Sequence, residues 1–433
     1  MTTLSADWVL PVEGPPIENG AVEITGGLIT RVGSVQELGA GERFERAVII
    51  PGLVNAHTHL EYAVYAGFGD GLSDFAAWIA LHTERKRRGG WEEYVASARL
   101  GAVECLTSGV TTVGDCSYSG AGAAGAAELG LRGIVYLEVF GADPVAALEQ
   151  FATLRERVES LLTGRLRLGI SPHAPYSISP EVYRACFELG LPVATHFSES
   201  ASEVRYLHDG GGPWAGIPWL VEPARATGTR LLAREGLLGP RLLAAHCVKV
   251  EPDEIDMLAS NDVAVVHCPR SNGYVGSGIA PLAALRAAGL RVGLGTDSPA
   301  STPSFDMFDE LRAAVFAARA REERPDALAA TDALELATLG SARALGLEHE
   351  AGSLVSGKCA DLAVVSLDGS PYHPWEDPAA AVVFGGSPER VLLTMVDGAV
   401  RYRKGGTSWH ELIAAASSAR SRLLTQPATT ART

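Results

Sequence analysis

Several histidines in this chain stand directly behind short apolar runs, a placement that sets imidazoles where a metal ion can be held. His57 and His59 follow Leu53–Ala56, in the segment Pro51-Gly-Leu-Val-Asn-Ala-His-Thr-His59. Residues i and i+2 of a strand point to the same side, so both rings can converge on one ion. His173, His196, His246 and His267 each follow a later apolar run, and Asp297 follows the last, in Gly295-Thr-Asp-Ser298. Three or more imidazoles with one carboxylate suit a divalent cation, Zn²⁺ first and Fe²⁺ second. Glu199 lies shortly after His196, in Thr195-His-Phe-Ser-Glu199, where a carboxylate can exchange a proton with water and with a substrate atom. Glu203, one helical turn on, reads as structural. A lone histidine at a strand end is commonly a hydrogen-bonded structural residue. The whole set in one register is not explained by independent placement. The remaining histidines, 82, 208, 349, 373 and 410, fall in expected loops or helices and carry no assigned chemistry.

The elements that must position these side chains repeat along the chain. Leu53–Ala56, Thr111–Gly114, Ile134–Val139, Leu166–Ile170, Pro192–Thr195, Leu242–Ala245, Val263–Val266 and Arg291–Gly295 are apolar runs of strand length. Four are preceded by a segment of helical period ending near a glycine, the expected helix stop. Strands alternating with helices indicate parallel βαβ units, and eight of them over ~250 residues is the size of an α/β (β/α)₈ TIM barrel. Active sites of such barrels lie at the C-terminal strand ends, where the histidines and Asp297 stand. The crossovers near 60–90 and 198–238 are longer than the rest and are candidate lids over the mouth. Phe68, Phe75 and Trp78 lie on the first, fitted either to cover a substrate or to fill the lid's own core.

Both ends read as strands and turns. Residues 1–50 and 349–405 are expected to build one small β-sandwich-like domain around a barrel spanning 51–348. Residues 406–433 would form a C-terminal helix and tail, with little core potential beyond 414.

The chain has 433 residues, with 51 acids against 36 bases and a net charge of −15. An acidic surface repels a phosphate backbone, which argues against a nucleic-acid partner. No apolar stretch reaches the ~18 residues of a spanning helix, and the N-terminus lacks a basic, apolar leader. The 6 cysteines form no C-x-x-C pair, as expected of reduced thiols in a cytoplasmic enzyme. A homodimer is the expectation from the common symmetry of soluble enzymes.

Taken together, Pro51-Gly, His57-x-His59, His196-x-x-Glu199, His246, His267-Cys-Pro-Arg-Ser-Asn272 and Gly295-Thr-Asp297-Ser resemble the amidohydrolase superfamily. The branch they resemble holds the deaminases and chlorohydrolases of purines, pyrimidines and triazines. The resemblance covers about 1–405 and implies one divalent metal ion held by His57, His59, His196 and Asp297. His246 would hydrogen-bond the hydrolytic water and Glu199 would move its proton. Two-metal relatives carry a carboxylated lysine at the fourth strand end. Gly169-Ile-Ser-Pro-His173 has no lysine there, in keeping with a single ion.

Within that branch, Ser171-Pro-His-Ala-Pro-Tyr176 is similar to methylthioadenosine/S-adenosylhomocysteine deaminases. That similarity implies that His173 meets the purine, Glu84 the ribose diol, and Arg132 a further substrate group. Other segments look more like aminodeoxyfutalosine deaminases of menaquinone biosynthesis: His57-Thr-His-Leu-Glu61, Phe75-x-x-Trp78-Ile, and His196-Phe-Ser-Glu-Ser200 with Glu203. Their substrate is an adenine nucleoside carrying an aromatic carboxylate on its 5′ side. The expectation is hydrolytic deamination of 6-amino-6-deoxyfutalosine, with methylthioadenosine or S-adenosylhomocysteine deamination as the alternative. Guanine or cytosine deamination and triazine dechlorination use nearly the same ligands. Arg132 or Arg270 could meet a substrate carboxylate, but surface or structural pairing is the expected fate of either alone.

Overall fold

Eight parallel strands, each hydrogen-bonded to the next in chain order, form a nearly closed barrel in the computed structural model, which describes residues 1–162, 164–369 and 376–425. The strands are Leu53–Thr58, Val110–Ser117, Arg132–Val139, Leu166–Pro172, Val193–Phe197, Leu242–His246, Ala264–His267 and Arg291–Leu294. The first three are buried along their whole length, as strands covered on both faces must be. Each expected apolar run overlaps one of these strands, with boundaries shifted by no more than a few residues. Helices such as Trp91–Thr107, Pro144–Val158 and Pro252–Ser260 cross between them.

The seam between the first and eighth strands is closed at the mouth by a small polar clasp. Asn55 Nδ2 donates to Thr296 Oγ1 at 2.8 Å, and the Thr296 N–H donates to Asn55 Oδ1 at 2.9 Å. The Asp297 N–H then donates to the His57 carbonyl at 3.0 Å. Gly295 is required here, because a Cβ would fall 2.7 Å from both N and O of His57. The clasp brings two of the expected metal ligands, from opposite ends of the barrel sequence, to adjacent positions.

The two chain ends join in a separate mixed sheet. Its order runs Ala399–Arg403, Val391–Val396, Leu362–Ser366, Glu42–Pro51, Thr2–Val9, Gly20–Thr25, Leu28–Ser34, with Ile17–Glu18 beside Thr2–Val9. Glu42–Pro51 lies between the N-terminal strand, to which it is parallel, and Leu362–Ser366, to which it is antiparallel. Leu4, Val22, Ile49, Leu362, Val364 and Leu393 fill its core. The apolar stretch 391–401 divides into a hairpin at Asp397-Gly398, whose φ values of 50° and 71° are those of a hairpin turn.

The C-terminal segment differs from expectation in its packing and not in its secondary structure. His410–Thr425 is a helix, with Ala416, Ala419 and Leu423 buried and an ion pair from Arg422 to Glu93. Its small apolar side chains supply the packing face that the expected lack of core potential beyond 414 overlooked. Positions 426–433 and His373 lie outside the described residues. Among the described residues no helix is long and apolar enough to cross a membrane.

Candidate active site and metal centre

The barrel strands deliver His57, His59, His196 and Asp297 to one point. One donor atom from each lies within 4.8 Å of the other three, and all four residues are buried. His59 Nε2 stands 3.2 Å from His196 Nε2 and 3.4 Å from Asp297 Oδ1, which is 3.5 Å from His57 Nε2. The hydrogen bonds around the cluster fix which atoms face inward. His196 Nδ1 lies 2.9 Å from the His173 carbonyl and donates to it, leaving the Nε2 lone pair free. Asp297 Oδ2 accepts from Ser271 Oγ at 2.7 Å and Ser301 Oγ at 2.6 Å, leaving Oδ1 for the centre. His57 Nε2 is buried with no hydrogen-bond partner. Three imidazole nitrogens and a carboxylate oxygen turned on one point are a set of ligand atoms that fits a divalent cation. Burial opposes charge on His59, yet Asp297 overrides it and lifts the imidazole to about 9. Of the three clustered imidazoles only His59 is shifted toward its charged form; burial holds His57 and His196 toward the neutral form.

Beside this cluster lie His246 and Glu199. His246 Nδ1 is 3.0 Å from Asn272 Oδ1, and its buried Nε2 faces Glu199 Oε2 at 3.8 Å. Burial holds the imidazole down at about 4, so it is neutral near pH 7. Burial, reinforced by the Asp297 and Glu203 charges, pushes the Glu199 carboxyl well above its ordinary range. A carboxyl so raised holds a proton more readily than an ordinary glutamate, as a group that takes up and passes on protons must. Glu203 sets the turn that presents it, accepting from the N–H groups of Ser198 and Glu199 at 3.1 and 2.7 Å. Ser198, His246 and Asp297 have positive φ of 49°, 74° and 60°. Non-glycine residues in this region mark strained backbone, found here at three strand ends around the cluster.

A cavity of about 470 Å³ opens from the cluster toward solvent. His59, His173, His196, Glu199 and Asp297 form its floor; Phe75, Trp78, Ile79, His82 and Trp219 come from the two long crossovers. The crossovers also meet each other, with the Phe75 and Trp214 rings 5.6 Å apart. Trp78 Nε1 donates to the Ala300 carbonyl at 2.9 Å, tying the first lid to the loop beyond Asp297. Phe68 instead stacks behind Trp78 and His82, outside the cavity lining. His173 is held by Ser177, with Nδ1 2.8 Å from the hydroxyl, and lines the cavity.

Two expected substrate residues are placed elsewhere. Arg132 begins the third barrel strand, at the end away from the mouth. Its Nε donates to Asp361 at 2.7 Å, Nη1 to Glu350 at 2.9 Å and Nη2 to Asp397. This buried guanidinium, held by three carboxylates at the end of the barrel away from the mouth, clamps the barrel to the small sheet and does not reach the cavity. Glu84 points outward from the first lid, half-exposed and paired with Arg88. The helix turn that carries it puts Thr83, Lys86 and Arg87 on the cavity side instead. Arg270 is likewise engaged, its Nε donating to buried Glu310 at 2.5 Å.

The cavity also contains residues that the sequence reading left out. Glu138 is 1% exposed, with Oε1 unpartnered. It closes the third strand, so the same strand-end rule that selected the histidines applies to it. Outside the cavity lining, Asn272 contacts His246, and Ser271 and Ser301 contact Asp297; Asn272 and Ser271 belong to the His267–Asn272 motif, but their partners are seen only in these contacts.

A parallel barrel with a histidine-carboxylate centre at its C-terminal mouth defines a metal-dependent hydrolase architecture. The sequence profile of the amidohydrolase family matches residues 48–401, and the chain belongs to that family. It is 33% identical to the 5′-deoxyadenosine deaminase of Methanothermobacter thermautotrophicus over 83% of this chain and 82% of that one. It is 32% identical to the 5-methylthioadenosine/S-adenosylhomocysteine deaminase of Symbiobacterium thermophilum over 91% of this chain and 92% of the other. The crystal structure of an adenosine deaminase from Xanthomonas campestris with bound zinc superposes with a TM-score of 0.86 at 29% identity, covering 98% of this chain and 99% of that one.

Proposed function

We propose that the protein hydrolyses the C6 amino group of an adenine nucleoside, with one Zn²⁺ held by His57, His59, His196 and Asp297. The single observation that carries this is the buried Glu199–His246 pair beside the four-residue cluster, at the floor of a nucleoside-sized cavity. Family membership and relatives named as deaminases make the chain a hydrolytic deaminase.

When bound, the ion supplies the positive charge that makes water acidic near neutral pH. The protein's own groups do the rest. His246 Nε2 and Asp297 orient the attacking water, and Glu199 takes a proton from it. Glu199 then delivers that proton to the ring nitrogen beside C6 as the C–O bond forms. Breaking the C6–N bond, with a second proton passed to the amino group, releases ammonia and leaves the carbonyl. His173 holds the purine. The stacked rings of Phe75 and Trp78 cover it and exclude bulk water.

Among adenine nucleosides we favour 6-amino-6-deoxyfutalosine, on the segments around His57–Glu61, Phe75–Ile79 and His196–Glu203, and hence a role in menaquinone biosynthesis. Methylthioadenosine or S-adenosylhomocysteine is the second reading, favoured by the names of the relatives. Ammonia release from the four nucleosides adenosine, methylthioadenosine, S-adenosylhomocysteine and 6-amino-6-deoxyfutalosine, by zinc-loaded enzyme, tests both. Activity on none of them overturns the nucleoside assignment.

A further inference from the structure

We propose that Lys86, assisted by Arg87, is an anion-binding subsite of the cavity, and that the substrate carries a carboxylate on the part remote from its base. This rests on the nucleoside-deaminase reading and specifies its substrate class.

Lys86 is one of four lysines in the chain, the others being Lys249, Lys358 and Lys404. It lines the cavity together with Arg87, on the last turn of the lid helix Phe75–Lys86 and the residue after it. The ammonium lies 4.5 Å from the Tyr118 ring centroid and 4.4 Å from that of Phe140. Two aromatic faces hold the cation without neutralising it. Acids outnumber bases by 51 to 36 here, and Arg132, Arg184, Arg270 and Lys358 all have carboxylates in contact. Among the described residues neither Lys86 nor Arg87 has a carboxylate within 4.0 Å, the ion-pair limit. Glu138 and Glu61 favour the Lys86 charge from a distance, while burial and the neighbouring Arg87 oppose it and leave the ammonium easier to deprotonate than usual. Two adjacent cations in a partly dry pocket are stabilised by an incoming anion.

The position suits the far end of a nucleoside. From the metal cluster, the His196 and His173 rings are 4.8 Å apart, and His173 and Phe140 are again 4.8 Å apart, with Lys86 on Phe140. A purine seated against His173 thus directs its sugar substituent past Phe140 toward the ammonium. The Tyr118 and Phe140 rings offer stacking to an aryl group that carries the charge.

The test compares matched nucleosides on zinc-loaded wild type, Lys86→Met and Lys86→Arg. The pair is 6-amino-6-deoxyfutalosine and its neutral methyl ester. We expect wild type to favour the acid at least tenfold in kcat/KM. Lys86→Met should lose that preference through KM, and Lys86→Arg should recover part of it. Equal use of acid and ester by wild type, or equal loss on both in Lys86→Met, overturns the subsite. Binding of benzoate against benzamide, read from the fluorescence of the cavity tryptophans, judges the subsite without turnover. Benzoate preferred by wild type and not by Lys86→Met supports it; benzoate bound equally by both, as it would be at the metal ion, overturns it. Absence of turnover on every nucleoside, with the benzoate preference intact, strikes the deaminase reading and leaves the anion site standing.

Discussion

Nε2 of His246 and Oε2 of Glu199 face each other at 3.8 Å, and Asn272 holds the opposite nitrogen of the imidazole. With Nδ1 donating to Asn272 Oδ1, the His246 Nε2 lone pair is turned toward the gap. In the proposed mechanism these two groups, one orienting water and one carrying a proton, border the same small space.

Glu199→Gln keeps the side-chain shape and removes the proton carrier. Turnover is expected to fall by roughly 10²–10⁴-fold. Metal content, measured by elemental analysis, should stay at the wild-type level because the carboxylate is not among the four clustered donors. Near-normal turnover would remove Glu199 from the chemistry.

Ser271 and Ser301 both donate to Asp297 Oδ2 and thereby aim Oδ1. Replacing Ser301 with Ala should weaken metal binding by about 10–100-fold. Competition with a chelator reads this directly. Zinc affinity unchanged in both Ser301→Ala and Ser271→Ala would show that Asp297 is not aimed by them.

Chelation of the wild-type protein should abolish activity and lower its melting temperature, and re-added Zn²⁺ should restore both. His57→Ala should purify with little metal. Undiminished metal in that variant would sink its assignment as a ligand.

Arg132→Ala leaves Asp361, itself buried, without its counter-ion. Breaking a buried pair on one side costs about 3–5 kcal/mol. The expected result is a marked loss of stability in denaturant melts, with KM unchanged at temperatures where the variant is folded. A raised KM with stability retained would return Arg132 to the substrate.

Burial raises the Glu104 carboxyl to about 7. An exposed glutamate in the unfolded chain titrates near ~4.3. The folded state thus holds this proton more tightly, so stability declines as pH rises from about 4 to 7. Glu104→Gln removes the cost of the charge. Its gain over wild type at pH 8 should exceed that at pH 5 by about 2 kcal/mol, read from denaturant melts at each pH. A gain independent of pH would refute the raised carboxyl.

The barrel was legible because its strands are buried on both faces and read as short continuous apolar runs with helices between. His57, His59, His196 and Asp297 were legible because strand ends and the mouth coincide. Arg132 was misread by register: it begins its strand, and only the fold shows that its surroundings are the acids of the small sheet. Glu84 was misread because a helical turn rotates the cavity face onto Lys86, which no strand rule reaches. Ser301 and Asn272 act through side-chain hydrogen bonds that no spacing announces.

The position of Glu42–Pro51 in the small sheet has a consequence for the order in which the polypeptide is made. This strand emerges early, yet one of its two partners, Leu362–Ser366, follows only after the entire barrel. Until then its edge is bare, one residue from the strand that carries His57 and leads into His59. A chain interrupted before residue 362 is therefore not a smaller enzyme but an open template for intermolecular pairing. Completion of synthesis and protection of that edge are the same event.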